Sequence, residues 1–370
     1  MMEGVTMKTT VDRETLRDML AEAGKYVSYR TSLPALSGVL VEAADGRLTV
    51  RATDLETTYT GDTPAEVYGS GRVLVDAKLL AKTVAAGGET VTVTDDGDRV
   101  AVDLGDATVR LRPLVLEDFP VLPEPGTSAT GTLDVDGLGT LGRVSVAAGT
   151  DEYRPVLTGV LLDGADVAAT DSYRLHVGRL GADVGGTALV PARTVATLAK
   201  LKADGVSVTV EDRQVTFAAT VTAGPKKAPR THRAQVTCRT IEGTFPNFRA
   251  LLPDGGVPLT VDAGLLSAAV KRVATLAGSN IPALLSAAGG TLTVSAVSQE
   301  LGEVSAEVPA IDVGDDWTGF NANPALLLAG VAAAVPSGVV TLRGRDGLKP
   351  WMVTADGSSV SALLMPMRVS

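Results

Sequence analysis

Two histidines, His176 and His232, and one cysteine, Cys238, make up the whole stock of near-neutral titrating side chains in this 370-residue chain. A zinc centre needs three or four nitrogen or sulfur ligands, and a serine nucleophile needs a histidine with an orienting carboxylate, so both are hard to assemble here. No GxGxxG lies between a strand and a helix and no GxxxxGK[ST] occurs, which leaves no recognisable phosphate cradle. The 43 Asp and Glu residues contain no spacing that selects an acid and a base, and they read as solvated surface charge. The expectation is a protein that is not an enzyme and holds no cofactor or metal. Cys238 has no partner for an internal disulfide, which fits a reducing compartment. Neither a signal peptide nor a run of 18 apolar residues is present, so the expected location is cytoplasmic, without a membrane partner.

Binding chemistry is a better match to the residues. "LLMPMRVS", 363–370, carries two leucines, two methionines, a proline and an arginine where chain ends are ordinarily polar. It reads either as a final core strand or as one wall of an adaptable binding surface, for which the flexible thioether of methionine is suited. A net charge of −10 argues against a generally basic nucleic-acid binder but leaves room for a local positive surface.

The elements that must carry these side chains are written more than once. "LSGVLVEAADGRLTVRATDLETTYTG" from Leu36 aligns with "LTGVLLDGADVAATDSYRLHVGRL" from Leu157, and "VLVDAKLLAKTV" from Val73 aligns with "ALVPARTVATLAKL" from Ala188. "FPVLP" from Phe119 is echoed by "FPNFRALLP" from Phe245, and a fainter third copy begins at Gly289 and continues with "FNANPALLLAGVAAAV" from Phe320. The period is roughly 120 residues, a normal domain size. Punctuation at "LPEPGTSATG" and "LLPDGGVPLT" divides the chain into 1–126, 127–256 and 257–370.

Each unit reads as helix, strands, helix, strands. The first helix of unit one starts after Asp12 and places Leu16, Met19, Leu20, Ala23 and Val27 on one face, and its counterpart in unit three starts after Asp262 with Leu266, Ala269, Val270 and Val273. Second helices are capped by Asp76 and by Asn323 before Pro324; in the middle unit Pro191 opens a stripe of Val195, Leu198 and Leu201. Segments such as "RLTVRAT", "RVAVDL", "VSVTVED" and "QVTFAAT" alternate with period two, as strands with one buried face do. The fold class is α+β, each domain a pair of helices packed on antiparallel sheet.

"ATDLE" at 52–56, "LTGVLL" at 157–162, "ATDSYRL" at 169–175, "FPNFRALLP" at 245–253 and "MPMR" at 365–368 together resemble the bacterial DNA polymerase III β subunit, the sliding clamp, in order and across all three units. The resemblance implies that two chains join head to tail into a ring of six domains, helices toward a central hole and continuous sheet outside. Such a homodimer encircles double-stranded DNA and acts as a processivity factor for DNA polymerase. It also implies DNA contacts at Arg30, Lys78, Arg154 and Arg193, and a dimer interface near Thr275 and Leu276. A hydrophobic groove between domains two and three would receive short linear motifs of the polymerase and clamp-loader subunits. Carried over position by position, it comprises Leu157, Thr170, Ser172, Tyr173, Arg174, Leu175, Pro246, Ala250, Leu251, Leu363, Met365, Pro366, Met367 and Arg368.

Holding DNA topologically asks only for weak positive charge on the inner helices, offered here by Arg13, Arg17, Lys25, Lys82, Lys200, Lys202, Lys271 and Arg272 beside the contacts already named. Departures from the pattern stand beside it. Many clamps have Gly-His in place of Ser172-Tyr173 and an arginine in place of Ala250, and Asp151 and Glu152 add negative charge to the loop before Arg154. The basic excursion "AGPKKAPRTHR", 223–233, reads as a solvated hairpin loop. These features leave open a clamp-like paralogue that serves as a peptide-binding scaffold or as an inhibitor-resistant variant.

Overall fold

The same series of elements recurs three times along the chain in the computed structural model, which describes residues 7–224, 229–277, 281–335 and 337–368. Six helices lie among these residues: α1 (Arg13–Ala23), α2 (Ala77–Ala85), α3 (Val135–Ser145), α4 (Ala192–Leu198), α5 (Ala263–Ala277) and α6 (Pro324–Ala334). The strand before the first helix of each repeat, Met7–Asp12, Gly131–Asp134 or Val257–Asp262, pairs antiparallel with the strand after the second helix. The strand after the first helix, Gly38–Ala44, Gly159–Asp163 or Ala283–Ala288, pairs with its successor and with the strand that leads into the second helix. Repetition therefore extends to individual hydrogen-bonded ladders, all of them antiparallel.

Atomic detail repeats as well. Gly38 and Gly159 each open a strand after a short 3-10 turn, and a Cβ would lie 3.0 Å from Leu74 Cδ1 at the first and 2.7 Å from Leu189 Cδ1 at the second. The same leucine fills the same space in both copies, which is why "SGVL" and "TGVL" keep the glycine. Leu55 (φ 79°) and Ser172 (φ 81°) occupy the same left-handed position of the same turn, held by the hydroxyls of Thr53 and Thr170.

Two compact units divide the chain, the first running up to Val135 and including Lys200–Thr240, the second comprising Asp136–Ala199 and the chain from Ile241 onward. In the first, an eight-stranded sheet forms where Arg230–Arg239, the last strand of the middle repeat, pairs with Thr57–Pro64 of the first repeat. In the second, a twelve-stranded sheet forms where Val360–Leu364, the last strand of the third repeat, pairs with Arg174–Arg179 of the middle one.

Burial follows the amphipathic stripes. Leu16, Met19, Leu20 and Ala23 of α1, and Leu266, Ala269, Val270 and Val273 of α5, are buried, each large aliphatic side chain contributing about 1.5–3 kcal/mol. Asp12 caps α1 through the Thr15 amide, Asp76 caps α2 through the Leu79 amide, and Asn323 accepts from the amides of Ala325 and Leu326 ahead of Pro324. Two expected stripe residues fall outside their helices. Gly24, whose amide returns to the Leu20 carbonyl, ends α1 before Val27, which is nevertheless buried; α4 ends at Leu198, so Leu201 is only half-buried. The expected hairpin loop at 223–233 also changes character. Residues 225–228 of it lie outside the described residues, while Arg230 begins a strand and its guanidinium lies 3.6 Å from Asp12 and Glu14.

Candidate functional site

Three segments of the second unit meet at the expected groove. The first is the turn Thr170–Arg174. Asp171 Oδ1 accepts from the amides of Tyr173 and Arg174, and the Thr170 hydroxyl donates to the Arg174 carbonyl at 2.6 Å. The second is the closing strip: Leu175 pairs with Leu363 in the ladder, and beyond it the Met365 amide donates to the Tyr173 carbonyl at 2.9 Å. The Met367 amide donates to the Asn321 carbonyl at 2.8 Å, so the strip is pinned to both sides by its backbone and keeps its side chains for other contacts. The third is the 3-10 turn Phe248–Leu251, which carries Ala250 and Leu251.

Leu175 and Leu363 are buried with Ala168 and Phe248 in one apolar cluster, against which Phe245 and Leu252 pack. Leu157 and Thr170 are buried too, whereas Tyr173 is 65%, Leu251 49% and Met365 39% exposed. Ser172, Ala250 and Arg368 are exposed, and Arg174, Pro246, Pro366 and Met367 are half-buried. The surface thus has a fixed apolar floor and exposed, larger side chains above it. Arg174 is already engaged, its Nε donating to Asp171 at 3.1 Å.

Two important residues were not assigned from sequence. Phe248 anchors the whole third segment, and Arg249 clamps it: the guanidinium sits 4.5 Å from the Phe248 ring and donates to Asp163 at 2.9 Å and Asp166 at 2.5 Å. The Thr187 hydroxyl and Arg249 hold the Asp163 carboxyl below its ordinary range. A motif as aromatic as "FPNF" signals an anchor; nothing in sequence marks the acids that Arg249 finds. Phe248, Arg249 and Leu252 also line a cavity of about 250 Å³ with Asp166, Arg179 and Ser361, beside the expected groove residues and not on them. At the start of the closing strand, Arg143 of α3 donates to the Ala333 carbonyl at 3.1 Å and to Ser359 Oγ at 2.7 Å.

Among the expected DNA contacts, Arg30 and Lys78 lie in the first unit, with Lys78 Nζ 3.9 Å from the centre of the Tyr29 ring. Arg193 is exposed on α4. Arg154 is drawn aside: its Nε donates to Asp151 at 2.9 Å and its Nη1 to the Ser172 hydroxyl at 3.1 Å, placing it beside an expected groove residue. The cations on and just after α1 pair with acids of the helix, Arg13 and Arg17 with Glu14 and Asp18, and Lys25 with Glu22, so the positive charge expected of it is largely cancelled. Thr275 is exposed and Leu276 half-buried on the last turn of α5.

Catalytic chemistry finds little support. Burial pushes the Cys238 thiol up to about 12 and lowers His176 to about 4, so the first stays protonated and the second neutral. No metal-binding group of His, Cys, Asp or Glu occurs among the described residues. No helix among them is long and apolar enough to cross a membrane.

Comparison with known proteins agrees with the geometry. A family model described as DNA polymerase III beta subunit, N-terminal domain, matches residues 7–123, and one described as its central domain matches 138–247. The chain is 32% identical to the beta sliding clamp of Streptomyces coelicolor, covering 98% of this chain and 100% of the relative. It is 29% identical to the beta sliding clamp homolog GriR of Streptomyces muensis, covering 88% of each. The crystal structure of the DNA polymerase sliding clamp from Caulobacter crescentus superposes with a TM-score of 0.86 at 26% identity, covering 98% of this chain and 100% of that one.

Fold and comparison together define an α+β protein of three repeated domains. The chain belongs to the DNA polymerase III beta subunit family, the bacterial sliding clamps of DNA replication.

Proposed function

We propose that two copies of this chain join head to tail into a ring that encircles duplex DNA, and that the surface around Leu175, Leu363 and Met365 receives linear peptides of the replication machinery. The domains would run 1–126, 127–256 and 257–370. One observation supports the ring above the rest. The last strand of the second repeat and the last strand of the third each add to the sheet of the preceding repeat. The last strand of the first repeat, Thr108–Leu111, has a ladder partner on one side only among the described residues. The strand of the third repeat that corresponds to the acceptors is Gly302–Val313, and among the described residues its Gly302–Pro309 stretch pairs only with Thr291–Ser298. Among the described residues, one open donor edge in the first repeat and one open acceptor edge in the third are what a head-to-tail pair would close.

A ring would hold DNA without tight phosphate contacts, and exposed Arg30, Lys78, Lys82, Arg193, Lys271 and Arg272 would supply diffuse attraction. The peptide surface would draw most of its affinity from apolar anchors seated on the Leu175, Phe248 and Leu363 floor, with Met365 repacking around different ligands.

Loading onto nicked circular DNA with a cognate loader tests both readings. The protein should stay on the circle through a salt wash and leave once the circle is linearised; equal retention on circular and linear DNA would refute encirclement. A variant lacking residues 365–370 should be retained equally well but fail to recruit a labelled clamp-binding peptide, and unchanged peptide recruitment would refute the groove.

A further inference from the structure

Lys78 and Arg30, both expected at DNA, share a feature that phosphate contact does not require: an exposed aromatic ring, Tyr29, that one of them covers and the other follows in sequence. Tyr29 immediately precedes Arg30, and Lys78 Nζ lies 3.9 Å from the centre of its ring. The loop is built to project. The Ser28 amide closes its base by donating to the Leu36 carbonyl at 2.8 Å, over buried Val27 and Leu36, while Tyr29, Arg30 and Leu33 are exposed. Opposite, the Asp76 cap fixes the first turn of α2 and with it Lys78.

Tyr29 is 43% exposed although the ammonium takes up one face. No hydrogen bond among the described residues engages its hydroxyl, and burial and Asp76 push the phenol up, so the ring stays neutral beside a polyanion. In a duplex the faces of the bases are covered by their neighbours, and an aromatic side chain finds no partner there. An unpaired base has a bare face. Cations that track the backbone, interleaved with a ring on which a base can stack, are the means by which proteins hold single strands, and an ammonium over the ring orients it.

We propose that Tyr29, flanked by Lys78 and Arg30, is a stacking platform for an unpaired base of single-stranded DNA adjoining the encircled duplex. This rests on the reading that the chain surrounds DNA. Tyr29 stacks, and the two cations contact the phosphates on either side of the stacked nucleotide.

The test uses the full-length protein at low salt and three labelled DNAs: a blunt duplex, the same duplex with an unpaired tail, and the same duplex with an abasic tail of equal charge. Binding to the base-bearing tail should exceed binding to the abasic tail by about five- to a hundredfold, the range for one stacked base. Y29L should erase that difference, and Y29F should keep it. If the two tails bind alike to the wild type, the platform is refuted, while retention on the nicked circle and loss on linearisation would still support the ring. Should Y29L weaken all three DNAs equally, the ring is merely a support for Lys78 and the inference falls. Binding to none of the three would refute the platform alone, since an encircling chain is expected to leave linear DNA and retention on the nicked circle decides the ring separately.

Discussion

At the scale of single residues, His176 shows how a buried side chain ties stability to pH. It is fully buried in the strand Arg174–Arg179, its Nδ1–H donates to the Arg143 carbonyl at 3.1 Å, and its Nε2 has no hydrogen-bond partner among the described residues. Desolvation lowers its pKa to about 4, against 6.5 for the free side chain. The unfolded chain therefore binds a proton near pH 6.5 that the folded chain refuses until about pH 4. Stability is unaffected above the higher value and declines as pH falls between the two, at about 1.4 kcal/mol per pH unit. Denaturant unfolding followed from pH 7 to pH 5 should show His176→Asn losing about 2 kcal/mol less than the wild type. Parallel pH profiles for the two proteins would show that the imidazole is not the group responsible. Arg249 makes the complementary point about legibility. "FPNFRALLP" was readable as a motif, but the arginine's clamp on Asp163 and Asp166 joins residues more than eighty positions apart, and no local pattern encodes it.

At the scale of elements, the sequence was most readable where amphipathic spacing and caps agree, as in α1, α2 and α5; α6, apolar all round, was marked by its Asn323-Pro324 cap, and α3 was least readable. "VDGLGTLGRVS" contains three glycines, and glycine costs about 1 kcal/mol in a helix relative to alanine, so propensity argues against the helix that packing enforces. Leu138, Leu141 and Val144 bury its inner face, and Gly142 exists for a close approach: a Cβ there would lie 2.8 Å from the Ala199 Cβ. Gly139, exposed, has nothing within 4 Å of where a Cβ would sit. Two substitutions identical in chemistry should therefore differ in sign. Gly139→Ala should stabilise by about 0.5–1 kcal/mol through helix propensity alone. Gly142→Ala should destabilise by about 1–3 kcal/mol, since two adjoining backbones must move apart. Thermal unfolding of the pair decides this, and a shared direction would mean that the approach of α3 to Ala199 is not tight. The same contrast explains the groove: the resemblance to the clamp family located Leu175 and Leu363, which a regular ladder pairs, whereas Phe248 sits on an irregular turn outside any periodic pattern.

At the scale of the whole molecule, threefold repetition turns an accounting of strand edges into a statement about assembly. Backbone amides and carbonyls along a sheet edge are unpaired templates, and a protein that leaves one open ordinarily shields or charges it. Here the charges differ in sign. Arg110 and Arg112 are exposed at the donor edge Thr108–Leu111, while Glu303 and Glu307 are exposed on the acceptor strand Gly302–Val313. Like edges would bring like charges together, and unlike edges would pair them, so the pattern favours head-to-tail joining over either symmetric alternative. Reversing one side, with Arg110→Glu and Arg112→Glu, should raise the dimer dissociation constant, read by light scattering across a dilution series. Adding Glu303→Arg and Glu307→Arg to the same chain should restore the dimer, because every donor edge then meets an acceptor of opposite sign again. Each rim pair contributes only about 0.2–1 kcal/mol, so the single-sided variant should weaken association about ten- to a hundredfold and not unfold the domains. A double-sided variant that stays as weak as the single-sided one would show that these strands do not face one another, and a single-sided variant with an unchanged dissociation constant would show that the chains meet elsewhere.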